Sequence, residues 1–352
     1  MSEIRIVQNI NKFPGRVKRW IHQKTIVEPI IKKRYPSNAE SILQTVKYII
    51  NDPKNAQTNN QILRINQGTN HQVYKIEQNQ NKYLAKITSS NLSNRLEREF
   101  LVLDFLSNRK LNLSPYPVFF KIINNQYAVL IETWIEGEVL TNPPKNQTEW
   151  KKILHHYQDI HAIIPTKKTA YLPKADRNTN TRSNCLALIK SQLKNVRLEL
   201  LPEELKSLLL KMEENLEFSE TNQKTSLCRG DGNFTNFIRQ GEKLISVDWE
   251  YSGWGDPLFD LVSLLAHPSY VDLSLEDIFW AIGYSKPFYP NKNFDKIIIS
   301  YLVTLFLYWA ARYINLLQNT NSQKPFAWRD RPSLRLQNYE IYIDRAGVLL
   351  KG

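Results

Sequence analysis

The chain of 352 residues is too long for one small core and suits one bilobal enzyme or two domains. Its hydrophobic content of 42% and its 17 Tyr, 14 Phe and 8 Trp residues argue against a disordered protein. The net charge of +13 favours anionic partners such as nucleic acid, anionic lipid or phosphorylated ligands.

Cysteine content and hydropathy indicate the compartment. Cys185 and Cys228 are too few for a disulfide framework or a four-cysteine zinc site, so we expect two reduced thiols. Residues 1–20 lack the apolar core and cleavage site of a secretory signal. The uncharged segment 297–311 has 15 residues, fewer than the roughly 20 that span a membrane, and is predicted as a buried helix. We therefore expect a soluble, cytoplasmic protein without a transmembrane segment.

Residues 1–55 are predicted to form a basic, helical N-terminal extension. Ser41 is placed to cap a helix that Pro53 ends. Basic residues crowd the first forty positions: Arg16, Lys18, Arg19, Lys24, Lys32, Lys33 and Arg34. The favoured interpretation is a solvated basic face. Binding of nucleic acid or an anionic surface through residues 1–40 is the alternative.

Residues 56–132 contain short runs that alternate or are apolar, as is typical of β-strands. Hairpin turns are predicted at Asn79-Gln80-Asn81 and at Asn124-Asn125, with one helix between them. From residue 133 to residue 352 the pattern is mainly helical and aromatic. This order predicts an α+β fold, with a small antiparallel-sheet lobe containing one helix and a larger, mainly helical lobe.

The segment CRGDGNFTN, residues 228–236, contains short patterns of conflicting meaning. Arg229-Gly230-Asp231 is an adhesion tripeptide, and Asn233-Phe234-Thr235 is a glycosylation acceptor pattern. Gly and Asn are also simply common in loops. The first two interpretations require an exported protein, which the N-terminus does not indicate.

A longer pattern that includes the same segment suits phosphoryl transfer from ATP. That reaction needs a carboxylate to orient or deprotonate the attacking hydroxyl group, and hard oxygen ligands for Mg²⁺. Asn236 follows Asp231 by five residues. The segment between Asn236 and Asp248 is predicted as a hairpin that turns at Gln240-Gly241-Glu242. The hairpin would bring Asp248 back beside Asn236, so that a base and two oxygen ligands lie together.

This segment resembles the aminoglycoside phosphotransferase and choline kinase superfamily, which has a protein-kinase-like fold. The matching residues are Arg229-Gly230-Asp231, Asn236, Asp248-Trp249-Glu250, Gly255-Asp256-Pro257 and Phe259-Asp260-Leu261. The resemblance implies that Asp231 is the catalytic base and that Asn236 and Asp248 bind Mg²⁺. It also implies a metal or substrate contact for Glu250 and a bracing role in the loop for Asp256. Arg229 replaces the family's usual His, which buttresses the catalytic loop.

The resemblance implies an ATP site in the first lobe. Gly68 would lie in the phosphate loop, 18 residues before Lys86, whose ammonium group would bind the α- and β-phosphates. The backbone that would contact adenine, at the hinge between the lobes, belongs to Glu132, Thr133 and Trp134.

Lys86 needs an anionic partner, and two glutamates on the following helix are available. Glu97 and Glu99 point about 200° apart, so only one of them is expected to face inward. Glu99 shares the apolar face of Leu96 and Leu103, where a carboxylate is unfavourable unless it is paired. Glu99 is therefore predicted as the partner of Lys86.

The acceptor is the least specified part of this prediction. A polycationic aminoglycoside favours an acidic cleft, which fits poorly with a charge of +13, and a choline-type acceptor needs an aromatic box. Aromatic residues in the helical lobe, for which core packing is the favoured role, are Trp280, Tyr308, Trp309, Tyr313 and Trp328. A neutral or anionic hydroxyl compound fits best. The predicted function is thus an ATP- and Mg²⁺-dependent small-molecule O-kinase, with a nucleotide-binding pseudokinase or scaffold, or a nucleic-acid-binding protein, as alternatives.

Overall fold

The structure is a computed structural model that describes residues 39–52, 61–65, 71–216, 218, 225–319 and 331–351. The basic arm, Pro53, Gly68 and Trp328 lie outside these residues. The described residues form two compact units. One comprises those up to Ser107 together with Pro115–Trp134, and the other comprises Asn108–Ser114 and those from Ile135 onward.

The first unit is built on a five-stranded antiparallel sheet. Its strands are β1 (Ile62–Ile65), β2 (Gln72–Gln78), β3 (Asn81–Ser89), β4 (Pro117–Ile123) and β5 (Tyr127–Thr133), in the order β1-β2-β3-β5-β4. Both predicted hairpin turns are confirmed. Asn79 and Gln80 have φ values of 50° and 63°, and Asn124 and Asn125 have values of 51° and 54°. Asparagine tolerates this left-handed conformation better than most residues.

Two helices accompany the sheet: α1 (Ala39–Asn51) and α2 (Ser93–Asn108), whose last residue belongs to the second unit. The residues of α1 that pack into the core of the sheet are Ile42, Leu43, Val46 and Ile49, at helical spacing. The segment predicted as part of an extension thus contributes to the core of the first unit. Ser41 lies inside α1 rather than at its cap, and its hydroxyl accepts a hydrogen bond from the Gln78 side chain.

The second unit is mainly helical. Its strands form two small sheets, one of β6 (Glu138–Val139), β8 (Phe237–Gln240) and β9 (Lys243–Ser246), and one of β7 (Ser226–Cys228) and β10 (Gly253–Gly255). Its helices are α3 (Gln147–His161), α4 (Arg182–Gln192), α5 (Glu203–Asn215), α6 (Pro257–Leu265), α7 (Leu275–Ser285), α8 (Phe294–Gln318) and α9 (Arg335–Leu349). A sheet unit followed by a mainly helical one confirms the predicted α+β fold.

Helix α8 contains the predicted core segment. Within the described part of the chain it is the one helix long and apolar enough to cross a membrane, and 89% of its most apolar window is buried inside the protein. The ring of Tyr342 in α9 lies 5.8 Å from that of Phe306 and 6.0 Å from that of Tyr313. Such burial is that of a core helix, because its apolar side chains already have protein partners.

Candidate active site

The segment 228–236 links β7 to β8 and forms the candidate catalytic loop. Its first turn is fixed by the buried carboxylate of Asp260 in α6. Asp260 accepts one hydrogen bond from the backbone N–H of Arg229 and another from that of Gly230, each at 2.8 Å. Two backbone donors on one carboxylate leave the start of the loop little freedom to move.

Gly230 is required at the second position of this turn. Its φ of 72° is left-handed, and a Cβ atom there would lie 2.7 Å from the carbonyl oxygen of Tyr251. Any larger residue would meet backbone that cannot easily move. The loop therefore passes directly against Tyr251 just before it reaches Asp231.

Asp231 has an oriented carboxylate. Its Oδ1 accepts a hydrogen bond from the backbone N–H of Asn233 at 3.0 Å, and its Oδ2 accepts one from Nδ2 of Asn236 at 3.1 Å. The Nε2 atom of His267 lies 3.5 Å from Oδ1. The Asp231 side chain is 17% exposed, so a small molecule can reach it.

The predicted hairpin is confirmed and carries Asp248 toward Asn236. Strands β8 and β9 pair with Phe237 opposite Ser246, and the chain turns at Gly241-Glu242. The backbone N–H of Val247 then donates to the carbonyl of Asn236 at 2.9 Å. Asp248 follows at once, with a φ of 62° that is uncommon for a residue with a side chain. Conformations of this kind concentrate at functional sites.

The side-chain oxygen atoms of Asn236, Asp248 and Glu250 are suited to bind Mg²⁺. Asn236 directs its Nδ2 group to Asp231, and nothing in the described part of the chain donates to its Oδ1 atom. The side chain of Asp248 is half-buried, whereas that of Glu250 is 2% exposed. Amide and carboxylate oxygens of this kind are the hard ligands that Mg²⁺ prefers.

The side chain of Asp256 bonds to the start of α6 and to α8. It caps α6, accepting from the backbone N–H of Leu258 at 2.8 Å, and its other oxygen accepts from the hydroxyl of Tyr301 at 2.6 Å. Burial raises the pKa of Asp256, and the bond from Tyr301 opposes the rise. The two hydrogen bonds that hold the start of the catalytic loop come from Asp260, at the last acidic position of the matched motif.

Asp260 is itself held by a buried histidine. The Nε2 atom of His161 lies 3.0 Å from Oδ2 of Asp260, and its Nδ1 atom lies 2.6 Å from the hydroxyl of Tyr289. His161, Asp260 and the buried Cys228 lie close enough together to suggest a metal group. The hydrogen bonds of His161 use both of its ring nitrogens, so the group is a structural network behind the loop.

Arg229 connects the catalytic loop to the segment that carries Asp248. Its fully buried guanidinium donates from Nη2 to the carbonyl of Val247 at 2.9 Å and lies 4.5 Å from the ring centroid of Trp249. Burial and then the charge of Arg229 lower the pKa of the nearby His156 to about 3. Arg229 is therefore placed to position the loop, with its side chain fully buried.

In the first unit, Lys86 of β3 pairs with Glu99 of α2. The Nζ–Oε1 distance is 2.7 Å, and the two side chains are 6% and 0% exposed. The predicted partner is thus present. The expectation that Glu97 faces outward was wrong, because its exposure is only 7%. Helix α2 is buried around most of its circumference, with all residues from Glu99 to Leu106 buried, so helical spacing alone did not separate the two glutamates.

The segment predicted to contact adenine ends β5. Glu132 is buried, and the backbone N–H of Thr133 donates to the carbonyl of Tyr116 at 2.8 Å. The N–H of Trp134 donates to the carbonyl of Lys82 at 3.0 Å. Both N–H groups are used within the first unit, so a base would have to be read by other backbone groups of this segment. Gly68 lies outside the described residues.

Sequence comparison identifies one curated relative over a short segment. Protein LicA of Haemophilus influenzae is 39% identical over 51 residues, which are 14% of this chain and 19% of that relative. The match is therefore local, and the chain spans about a fifth of the relative's length.

Solved structures share the fold. The choline kinase LicA from Streptococcus pneumoniae matches 87% of this chain and 99% of its own at 18% identity, with a TM-score of 0.55. A ternary complex of the aminoglycoside phosphotransferase APH(4)-Ia with ADP and hygromycin B matches 87% of this chain and 97% of its own at 13% identity, with a TM-score of 0.53. At these sequence identities, both comparisons show a similarity of fold.

A family model decides the classification. The model of the phosphotransferase enzyme family matches residues 61–283, which is more than half of the chain and includes the whole loop and hairpin described above. The chain belongs to the phosphotransferase enzyme family.

Proposed function

We propose that this chain transfers the γ-phosphoryl group of ATP, in the presence of Mg²⁺, to a hydroxyl group of a small molecule. The observation that carries the proposal is the arrangement around Asn236. Its side chain orients Asp231 and its backbone carbonyl is bonded to the residue before Asp248. One residue thus joins the proposed base to the proposed metal-binding segment.

In the proposed reaction, Asp231 orients the acceptor hydroxyl and accepts its proton as the new oxygen–phosphorus bond forms. The bond between the γ-phosphorus and the β,γ-bridging oxygen breaks, and ADP leaves with the electron pair. Asn233 and Asn236 keep the carboxylate oriented through their two hydrogen bonds. The proton on Asp231 then passes to solvent.

Asn236 and Asp248 would hold Mg²⁺, and Glu250 would contribute a further contact to metal or substrate. When bound, the ion neutralises the charge that develops on the phosphate oxygens. The protein's part is to keep these oxygens in place, which the hairpin β8–β9 and the Arg229 bond to Val247 support.

The nucleotide contacts are proposed for the first unit. Lys86 would bind the α- and β-phosphates, and its pairing with Glu99 supports this role because the pair fixes the direction of a buried ammonium group. Gly68 and the backbone of Glu132, Thr133 and Trp134 complete the proposed nucleotide site. The complex of a structural neighbour with ADP agrees with a nucleotide ligand. We expect the enzyme to act in the cytoplasm.

The decisive experiment is calorimetric titration of ATP with Mg²⁺ into the wild-type protein and into Asp248→Ala, followed by an acceptor panel. Binding that requires Mg²⁺ and weakens in Asp248→Ala supports the proposal. A folded wild-type protein that binds no nucleotide would overturn it and would favour an interaction role through the basic arm. Nucleotide binding without transfer to any acceptor would favour the pseudokinase alternative.

A further inference from the structure

The segment 173–178 is attached to β10 and to the start of α6 on both sides of Arg177. The bonds are Trp254 N–H to Pro173 O, Ala175 N–H to Trp254 O, Asp176 N–H to Tyr251 O, Asn178 Nδ2 to Asp256 O and Asp256 N–H to Asn178 Oδ1, all between 2.8 and 3.0 Å. Since five hydrogen bonds hold so short a segment, the position of Arg177 is fixed by the fold.

Arg177 itself has an unusual backbone and an open side chain. Its φ of 57° is left-handed, a conformation that is uncommon for a long side chain and often marks function. The guanidinium lies 4.8 Å from the ring centroid of Tyr251, and Nε is 3.9 Å from Asp176. Among the described residues, no hydrogen-bond acceptor is bound to either Nη group. The side chain is 44% exposed.

The same tyrosine connects Arg177 to the proposed base. The backbone of Gly230, next to Asp231, packs directly against the carbonyl and Cβ of Tyr251. Burial lowers the pKa of Arg177, but the charges of Tyr308, Tyr251, Asp176 and Asp231 raise it overall. Burial lowers the pKa of His267, which lies 3.5 Å from Asp231; the charge of Asp231 raises this pKa, and the charge of Arg177 lowers it. Tyr251 thus contacts both the guanidinium of Arg177 and the backbone of the residue directly before Asp231.

Two acidic residues of the matched motif are buried and are not available to a cationic acceptor. Asp256 and Asp260 are 5% and 1% exposed, and both already accept hydrogen bonds from the protein. Asp176 interacts with Arg177. A polycation that approached the exposed carboxylate of Asp176 would therefore also meet the guanidinium of Arg177.

Four described aromatic residues that the sequence offered for a quaternary-ammonium cage already have partners in the protein. Three of them belong to the core, with exposures of 4%, 8% and 0%: Tyr308, Trp309 and Tyr313. Trp280 stacks on Tyr284 at 5.7 Å, and the ammonium of Lys151 already lies 5.3 Å from the Tyr284 ring. That ring face is used by a cation of the protein itself.

We infer that the acceptor is an alcohol that also bears a carboxylate or phosphate group, and that Arg177 binds this anionic group beside Asp231. The inference rests on the proposed function and names the class of its second substrate. A planar guanidinium with two open Nη groups suits bidentate binding of either anion. The hydroxyl to be phosphorylated would then point toward Asp231.

The test uses acceptors in matched pairs, with wild type and variants of the full chain. D-glycerate is compared with glyceramide and glycerol 3-phosphate with glycerol, while choline and hygromycin B represent cationic acceptors. Variants are Arg177→Ala and Arg177→Lys, with Lys190→Ala as a control that removes a distant charge whose side chain is 67% exposed. We expect the wild-type enzyme to prefer the anionic acceptor of one pair. Arg177→Ala should raise the KM for that anionic acceptor about 10- to 100-fold, as expected for a lost charged hydrogen bond. In Arg177→Ala, the KM values for ATP and for the neutral acceptor of the pair should stay unchanged. Comparison of the two pairs shows whether the site prefers a carboxylate or a phosphate group.

Preference for choline, hygromycin B or the neutral members, or an unchanged KM in Arg177→Ala, would overturn the inference while leaving the kinase activity intact. If ATP binds but none of these acceptors is turned over, D-glycerate and glycerol 3-phosphate are titrated by calorimetry. Binding that Arg177→Ala abolishes supports the inference, and no binding of either compound overturns it. Failure of ATP to bind would overturn the proposed function separately, since the anion titrations need no nucleotide.

Discussion

The guanidinium group of Arg229 lies 4.5 Å from the ring centroid of Trp249, and both side chains are completely buried. The same guanidinium donates to the carbonyl of Val247, and the Trp249 indole donates to the carbonyl of Ser246 at 2.8 Å. A buried cation over an indole contributes about 2 kcal/mol, and a hydrogen bond from a charged group about 1.5–3 kcal/mol. Arg229 thus fixes the residues on both sides of Asp248.

Replacing Arg229 should loosen the proposed metal-binding segment. We expect Arg229→Met to lower the free energy of unfolding by about 3–5 kcal/mol, measured in urea, because it removes both interactions. It should also raise the Mg²⁺ concentration that gives half-maximal activity. Arg229→Lys keeps the charge but not the planar stack, and should fall between Arg229→Met and wild type in both measurements. A loss of stability with an unchanged Mg²⁺ requirement would restrict Arg229 to a purely structural role.

Asp231→Asn should retain nucleotide binding and lose transfer. The amide keeps the shape of the carboxylate but cannot accept a proton, so kcat should fall about 10²- to 10⁴-fold. Calorimetry should give an ATP dissociation constant within about twofold of wild type, since Asp231 is proposed to contact the acceptor hydroxyl. The exposed variant Asp272→Asn serves as the control. Substantial activity in Asp231→Asn would exclude Asp231 as the base.

The buried pair of Lys86 and Glu99 allows stability to be separated from nucleotide binding. Lys86→Met and Glu99→Leu should each lower the free energy of unfolding by about 3–5 kcal/mol, because each removes the ion-pair partner of a buried charge. The double variant should recover much of that loss, since two apolar groups then pack together. It should still bind ATP more weakly than wild type, as it lacks the ammonium group. Full nucleotide affinity in a folded double variant would exclude Lys86 from the phosphate site.

The lowered pKa of His156 predicts that the free energy of unfolding depends on pH. In the folded protein its pKa is lowered from 6.5 to about 3, so the unfolded chain binds the proton first as the pH falls. The free energy of unfolding should therefore decrease between pH 6.5 and pH 3, by at most about 1.4 kcal/mol per pH unit from this residue. His156→Gln, which keeps a polar partner for Ser246, should show a shallower decrease, and the exposed His155→Gln should follow wild type. Identical slopes in all three proteins would contradict a buried, neutral His156.

The sequence predicted those parts of the site whose geometry depends on residues close together in the chain. It did not predict contacts that depend on distant segments. The hairpin between Asn236 and Asp248 follows from a turn and two short strands, so its geometry depends on neighbouring residues. The pairing of Lys86 with Glu99 was predicted from helical spacing and from the unfavourable burial of a lone carboxylate, but the spacing argument did not hold for Glu97, which is also buried. The burial of Glu97 depends on neighbours from other segments, which helical spacing cannot supply.

Arg177 shows the same limit for the acceptor site. Its segment is attached to β10 by backbone hydrogen bonds, which leave no trace in the identity of the side chains. Asp256 lies in the motif Gly-Asp-Pro, so the sequence could have indicated that Asp256 caps a helix and that Asp260 is available to hold the loop. An Asp directly before Pro is a common helix start, which indicates a cap.

The hydrogen bonds of Ser246 with Leu113 have a consequence for how the chain folds during synthesis. Ser246 donates from its backbone N–H to the carbonyl of Leu113 at 2.9 Å and from its hydroxyl at 3.2 Å, across 133 residues of sequence. Leu113 lies in the short segment Asn108–Ser114, which belongs to the second unit although the chain returns to the first unit after it. A ribosome would have to add all of these residues before Leu113 finds its partner, and expression of residues 135–352 alone would leave Ser246 without it.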